Sequence, residues 1–300
     1  MVTIFATPKR FEGQVKILQT NAITSWALLK PECEVILFGN EDGTAELAAR
    51  LGIRHIPEVK TNNFGTPLVN HLFHSAERLA SFNILAYVNS DIILTRDFTS
   101  AIKKIRFSRF LMVGRRRSVF LNDYLEFSDT RWQERLKTHV KKSGWLESAH
   151  AIDYFVFPKG TWKNLPPYAI GRAGYDNGLL YDAYSRNIPV INASNHVWAV
   201  HQIHGYAHHP SGKAGVYLGE EAQQNLSFTK NGLCHLSINN ASFVLTRFGI
   251  VPALAFGHIR AAWRLLRDRF SGNIPGWARL LNQIGENSII LKRLEEIEAR

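Results

Sequence analysis

The feature that most constrains this chain is an alternation near its start. Short apolar runs at Val2–Ala6, Glu34–Phe38, 53–56 and Ile84–Val88 are each bounded by turn formers, with helix-like segments between them. Short uninterrupted apolar runs suit strands buried on both faces. Residues 11–29 carry apolar residues at near-helical spacing, and 46–51 make a shorter helical piece before Gly52. Thr66 followed by Pro67 predicts a helix start, a capping side chain and then a ring that needs no donor. Leu68, Leu72, Phe73, Ala76, Leu79 and Ala80 then share one face. Strands alternating with helices predict an α/β fold, a mostly parallel sheet flanked by helices. Ligands bind such sheets at the carboxyl ends of the strands, which here carry Thr7 and Pro8, Gly39 to Glu41, and Asn89 to Asp91.

Further along, a strand is expected at 110–113, leading into the basic triplet Arg115, Arg116 and Arg117. Residues 123–144 read as a polar insertion without a strand pattern. Strands resume at 152–157 and 189–191, with a short helix over 177–185 between them. From about Leu218 the pattern turns mainly helical, which divides the chain into a domain over 1–215 and a helical extension over 216–300. Within that extension Ile259, Ala262, Trp263, Leu266 and Phe270 fall on one face among arginines. Such a helix packs on the domain or on another subunit, or lies on an anionic membrane through 258–270.

With 300 residues, 45% apolar and 20% charged, the chain reads as globular. No stretch reaches the ~18 continuous apolar residues of a membrane span. The most hydrophobic window, 243–256, is broken by Arg247 and Pro252. The apolar start is too short for a secretory leader, and Lys9 and Arg10 follow it rather than precede it, so a cytoplasmic location is expected. Cys33 and Cys234 lack the spacing of a thiolate metal site and read as ordinary buried thiols. The net charge of +11 favours an anionic partner without choosing among nucleic acid, membrane and phosphorylated substrate.

The sharpest local feature is the strand Ile84–Val88 running into Asn89-Ser90-Asp91. Burial explains the strand but not the acid. Asp91 either caps a turn or holds a divalent cation that bridges it to a phosphorylated ligand, because two anions do not approach closely unaided. Asp176, in Gly174-Tyr175-Asp176-Asn177-Gly178, is either a helix N-cap or a general base. Asp153 lies inside an apolar strand, where a carboxylate must be paired or working; it forms a buried salt bridge or binds an acceptor hydroxyl. His201, His204 and His208 offer nitrogens to a metal or are solvated loop residues, and His201 directly follows the apolar run ending at Val200.

Together these segments resemble the GT-A type glycosyltransferases of the nucleotide-diphospho-sugar transferase superfamily, whose Asp-x-Asp motif closes a strand in this way. The resemblance spans about the first 210 residues. It rests on Thr7-Pro8, Phe38-Gly39-Asn40-Glu41, Asn63-Phe64-Gly65-Thr66-Pro67, an Asn-Ser-Asp variant of the motif, and the Asp176 and His201 segments. It implies a nucleotide-sugar donor lined by Thr7, Pro8, Asn40, Glu41, Asn63, Asn89, Ser90 and Asp91, with Lys213 on phosphate oxygens. It further implies Mn²⁺ or Mg²⁺ held by Asp91 with His201 and then His204, and Asp176 as base with Asp153 as its competitor. The implied reaction is transfer of the sugar to a glycan, lipid-linked or other acceptor hydroxyl, with inversion. Asn89 removes one expected carboxylate, and Gly205 stands where related sequences often carry an acid.

A nucleotidyltransferase is the second enzyme reading, but Ala6 to Gly13 lacks the glycine density of a triphosphate-binding loop. A basic nucleic-acid-binding protein, or a relative without catalysis, is the third. The aromatic residues lie mostly in apolar segments rather than interleaved with basic ones, so no nucleic acid is expected.

Overall fold

The computed structural model describes residues 1–205, 212–229 and 236–253. The chain forms strands β1 (Val2–Ala6), β2 (Glu34–Phe38), β3 (Arg54–Ile56), β4 (Ile84–Val88), β5 (Ile92–Ile93), β6 (Leu111–Val113), β7 (Arg116–Val119), β8 (Trp145–Leu146), β9 (Tyr154–Pro158), β10 (Val190–Asn192), β11 (Ala199–Gln202), β12 (Phe243–Thr246) and β13 (Gly249–Pro252). Its helices are α1 (Gly13–Ala27), α2 (Thr44–Leu51), α3 (Val69–Leu79), α4 (Asp97–Lys103), α5 (Trp132–Ser143), α6 (Tyr175–Ser185), α7 (Gly212–Leu218) and α8 (Glu220–Ser227).

Nine strands form the central sheet in the order β13-β12-β10-β6-β9-β4-β1-β2-β3. The run β4-β1-β2-β3 is parallel, β9 is antiparallel to both β4 and β6, and β12 adds in parallel beside β10. This is the expected α/β class, a mixed but mostly parallel sheet flanked by helices. Alternation along each strand feeds two cores. Phe5, Tyr87, Phe155 and Phe157 pack on one face against Phe73 of α3 and Leu179 of α6. Ile4, Ala86 and Val156 pack on the other against Trp26 of α1 and Phe98 of α4. A second sheet, β5-β11-β7-β8, packs on Trp132, Leu136 and Val140 of α5.

Two expectations are corrected, and a third, the strandless insertion over 123–144, gains a helix. The helix expected at Thr66-Pro67 begins at Val69, with no side-chain cap. Pro67 and Leu68 are instead held in bridges to Thr61 and Ala169, which keep the backbone extended. The stretch 123–144 holds α5, whose buried residues fall four apart in an otherwise charged sequence. Beyond Leu218 the chain is helical through α8, but 243–252 is a hairpin that extends the central sheet. Among the described residues no helix is long and apolar enough to cross a membrane. The basic segment 258–270, Cys234 and His208 lie outside the described residues.

Candidate functional site

The carboxyl end of β4 turns sharply, with Ile92 N–H donating to the carbonyl of Asn89 at 3.0 Å. This turn lets the chain re-enter the second sheet as β5 and leaves Asp91 facing β11, whose His201 pairs in register with Ile92. His204 Nε2 lies 2.9 Å and His201 Nε2 3.6 Å from Asp91 Oδ2. The three ligand atoms fall within 4.8 Å of one another. The structure therefore brings together all three residues expected at a cation, with His204 nearer to Asp91 than His201.

The outer nitrogens of both imidazoles are occupied. His204 Nδ1 sits 2.7 Å from the carbonyl of Gly205, which can only accept, so that nitrogen carries the proton. His201 Nδ1 lies 3.3 Å from Ser118 Oγ. Each Nε2 is thereby directed at Asp91, the outer-shell arrangement that orients metal-binding histidines. A neutral His204 would set two lone pairs against each other at 2.9 Å, so positive charge must lie between Nε2 and Oδ2 as a proton or a metal ion. The second carboxylate oxygen, Asp91 Oδ1, is buried and accepts no hydrogen bond among the described residues. The donor set, two nitrogens and a carboxylate with an unsatisfied oxygen, fits a divalent cation. Burial alone would raise the Asp91 carboxyl, but the His204 hydrogen bond and the charges of His201, His204 and Lys9 outweigh it and hold it well below the carboxylate range. His204 moves up through its bond to Asp91, while burial lowers His201.

Asp91 and His204 line a cavity of about 650 Å³ at the strand ends. Thr7, Pro8, Asn40, Glu41, Asn89 and Ser90 line it too, as expected for the donor site. Gln19 fixes its floor, accepting from Lys9 N–H at 2.7 Å and from Ser90 Oγ at 2.9 Å. Its amide donates back to the Lys9 carbonyl at 2.7 Å. Arg172, also at the cavity, bonds Glu221 of α8 at 2.6 Å and Thr66 Oγ1 at 3.0 Å. Neither Gln19 nor Arg172 carries a local sequence signal, because each acts through contacts distant along the chain.

Asn63 is exposed and not among the cavity-lining residues; its neighbour Asn62 organises the loop, its Oδ1 accepting from Phe64 and Thr66 N–H. Lys213 is exposed on α7, with Nζ 5.9 Å from the centre of the Tyr217 ring, and it too is absent from the lining.

Asp153 is buried at the start of β9. Arg116 donates to its two oxygens at 3.2 and 3.0 Å, and Asn89 Nδ2 donates at 2.6 Å. Asn89 Oδ1 in turn accepts from the Tyr175 hydroxyl at 3.0 Å, which ties the end of β4 to the start of α6. That helix is capped by Gly174, not by Asp176. Gly174 adopts φ +89°, and a Cβ there would meet Leu226 Cδ2 at 2.8 Å. Asp176 sits inside the first turn, with Oδ1 accepting from Asn177 N–H at 2.9 Å. Burial, with repulsion from Asp153, raises its carboxyl to about 7 against the pull of that bond and of Arg116.

No family model matches the sequence, and neither does any curated protein. Solved structures do. One is a Mycobacterium tuberculosis glucosyl-3-phosphoglycerate synthase in complex with Mn²⁺, uridine-diphosphate and phosphoglyceric acid, at 15% identity and a TM-score of 0.45, covering 79% of each chain. Another is described as a nucleotide-diphospho-sugar transferase from Desulfovibrio desulfuricans G20, at 8% identity and a TM-score of 0.42, covering 77% of this chain and 96% of that one. A third is S. aureus TarS 1-349, at 14% identity and a TM-score of 0.32, covering 39% of this chain and 36% of that one, so the chain spans about a third of that structure.

Proposed function

We propose that the protein is a metal-dependent glycosyltransferase that moves a sugar from a nucleotide-diphosphate sugar to an acceptor hydroxyl with inversion. The observation that carries this reading is the convergence of Asp91, His201 and His204 within 4.8 Å of one another, with Asp91 and His204 lining the strand-end cavity.

In this reading Asp91, His201 and His204 hold the cation, and the two imidazoles favour Mn²⁺ over Mg²⁺. Bound there, the metal offsets the charge that grows on the departing diphosphate. Lys9 and Arg172 add positive charge on the cavity wall. Asn89 and Ser90 present polar groups beside the carboxylate. Asp176, with a carboxyl near 7, is matched to take a proton from an acceptor hydroxyl at neutral pH. As that proton moves to Asp176, the acceptor oxygen bonds the anomeric carbon on the face opposite the leaving diphosphate. Asp153 is engaged by Arg116 and Asn89, so its role is to position those groups rather than to accept the proton.

A panel of nucleotide sugars titrated with and without Mn²⁺ tests the proposal. Asp91→Asn is expected to lose metal-dependent donor binding, whereas Asp176→Asn keeps binding and loses transfer. Absence of nucleotide binding in either metal condition would overturn it.

A further inference from the structure

A second cavity, of about 520 Å³, lies beyond the end of β7. Phe120 and Tyr124 line it and are 62% and 54% exposed. Trp145, 48% exposed, stands edge-on to Phe120 with ring centroids 6.4 Å apart. Two exposed rings lining a cavity, with a third outside the lining packed on one of them, mark a contact surface. The polar lining decides what kind. Asn122, Asp123, Glu126 and the ion pair of Arg135 with Asp129 share the lining with the rings and with leucine side chains, so the cavity is amphipathic. An acyl chain or an apolar peptide face would strip water from these groups and return no hydrogen bonds. A sugar does the opposite: its axial C–H face lies on an aromatic ring while its equatorial hydroxyls meet carboxylate, amide and guanidinium groups. The cavity thus has the chemistry of a carbohydrate subsite.

Its placement ties it to the cation ligands. Ser118, beside His201, lies two residues before Phe120, so one strand, β7, leads from the candidate cation site to the cavity. The cavity loop is also fastened to the same frame. Asn21 donates to the Asp123 carbonyl at 3.0 Å and accepts from Leu125 N–H at 2.9 Å. Asn21 also donates to Gln202 at 2.9 Å, and Gln202 donates to the Asp91 carbonyl at 3.1 Å. Both amides are fully buried.

We infer that this cavity is an acceptor subsite for an oligosaccharide, holding sugar units beyond the one that is glycosylated. The inference rests on the transferase reading for its link to catalysis, while the binding itself does not. The test is an array of defined oligosaccharides probed with the wild-type protein, Tyr124→Ala and Trp145→Ala, with Mn²⁺-dependent binding of a panel of nucleoside diphosphates measured on the same three samples. The exposure of both rings allows truncation without loss of the fold, and thermal melting checks this. Wild type is expected to bind glycans of two or more units and not the matching monosaccharides, and each variant to bind them about tenfold more weakly with nucleoside-diphosphate binding unchanged. Wild type that captures no glycan, or variants that bind as wild type does, would overturn the subsite. Glycan capture without binding of any nucleoside diphosphate of the panel would sink the transferase reading and leave the subsite standing.

Discussion

Replacing Asp176 with asparagine should stabilise the protein at alkaline pH. Burial and the nearby Asp153 lift the Asp176 carboxyl from its ordinary 3.8 to about 7. Between those values the folded state holds a proton that the unfolded chain has released, so stability falls as pH rises through that window and the full cost is reached above it. At about 1.4 kcal/mol for each tenfold change in proton affinity, the ceiling is about 4 kcal/mol. Solvent reaches part of the side chain, which lowers the figure. Its place in the first turn of α6 already credits the charge with about 0.3–1 kcal/mol that asparagine forfeits. Asparagine keeps the oxygen that accepts from Asn177. The net expectation is a gain of about 1–2 kcal/mol at pH 8 that shrinks towards zero at pH 4, read by urea unfolding across that range. The same group should give the transfer rate of the wild type a limb that falls below pH of about 7. A gain independent of pH, or a loss at pH 8, would refute the claim that Asp176 is held in a strained, desolvated state.

Ser118→Ala should leave the fold intact and weaken Mn²⁺ binding about tenfold in calorimetric titration, because His201 loses the partner that orients it. Gln202→Leu removes the donors to the Leu18 and Asp91 carbonyls and the acceptor for Asn21; it should cost about 3 kcal/mol in urea unfolding. Arg116→Met should cost about 3 kcal/mol by leaving the buried Asp153 carboxylate without its cation. Adding Asp153→Asn should return part of that loss, and a double-mutant cycle without coupling would contradict the pairing.

The sheet was legible because strands buried on both faces read as unbroken apolar runs, and β1, β2 and β4 are such runs. The candidate site could be noticed for a related reason, since an acid a few residues past such a run, as Asp91 is past β4, has no packing role to explain it. What escaped is structure that depends on sparse or distant signals. In α5 three buried residues four apart carry the helix through a charged segment, too narrow a stripe to stand out. The apolar run over 243–252 fits helix or strand alike, and pairing with β10 decides it. Asn62 and Asn63 are chemically the same residue, so only the loop's hydrogen bonds tell which one organises it. Gln19 and Arg172 acquire their roles from partners far along the chain.

Asn89 shows how a departure from a motif becomes intelligible in three dimensions. As a sequence feature it is a missing carboxylate at the first position of an Asp-x-Asp pattern. In the fold its amide nitrogen donates to Asp153 at 2.6 Å and its carbonyl oxygen accepts from Tyr175. An aspartate there would set two carboxylates against each other at that separation, which holds only if they share a proton. Asparagine instead supplies one donor and one acceptor, and both are used. The negative charge is then divided among three separate settings: Asp91 against His204 and His201, Asp153 against Arg116, and Asp176 held near neutral pH by burial. Because Tyr175 directly precedes Asp176, the Asn89 side chain also links the strand that leads to the proposed cation ligand to the helix that carries the proposed base. The amide that weakens the metal motif therefore joins the two halves of the site.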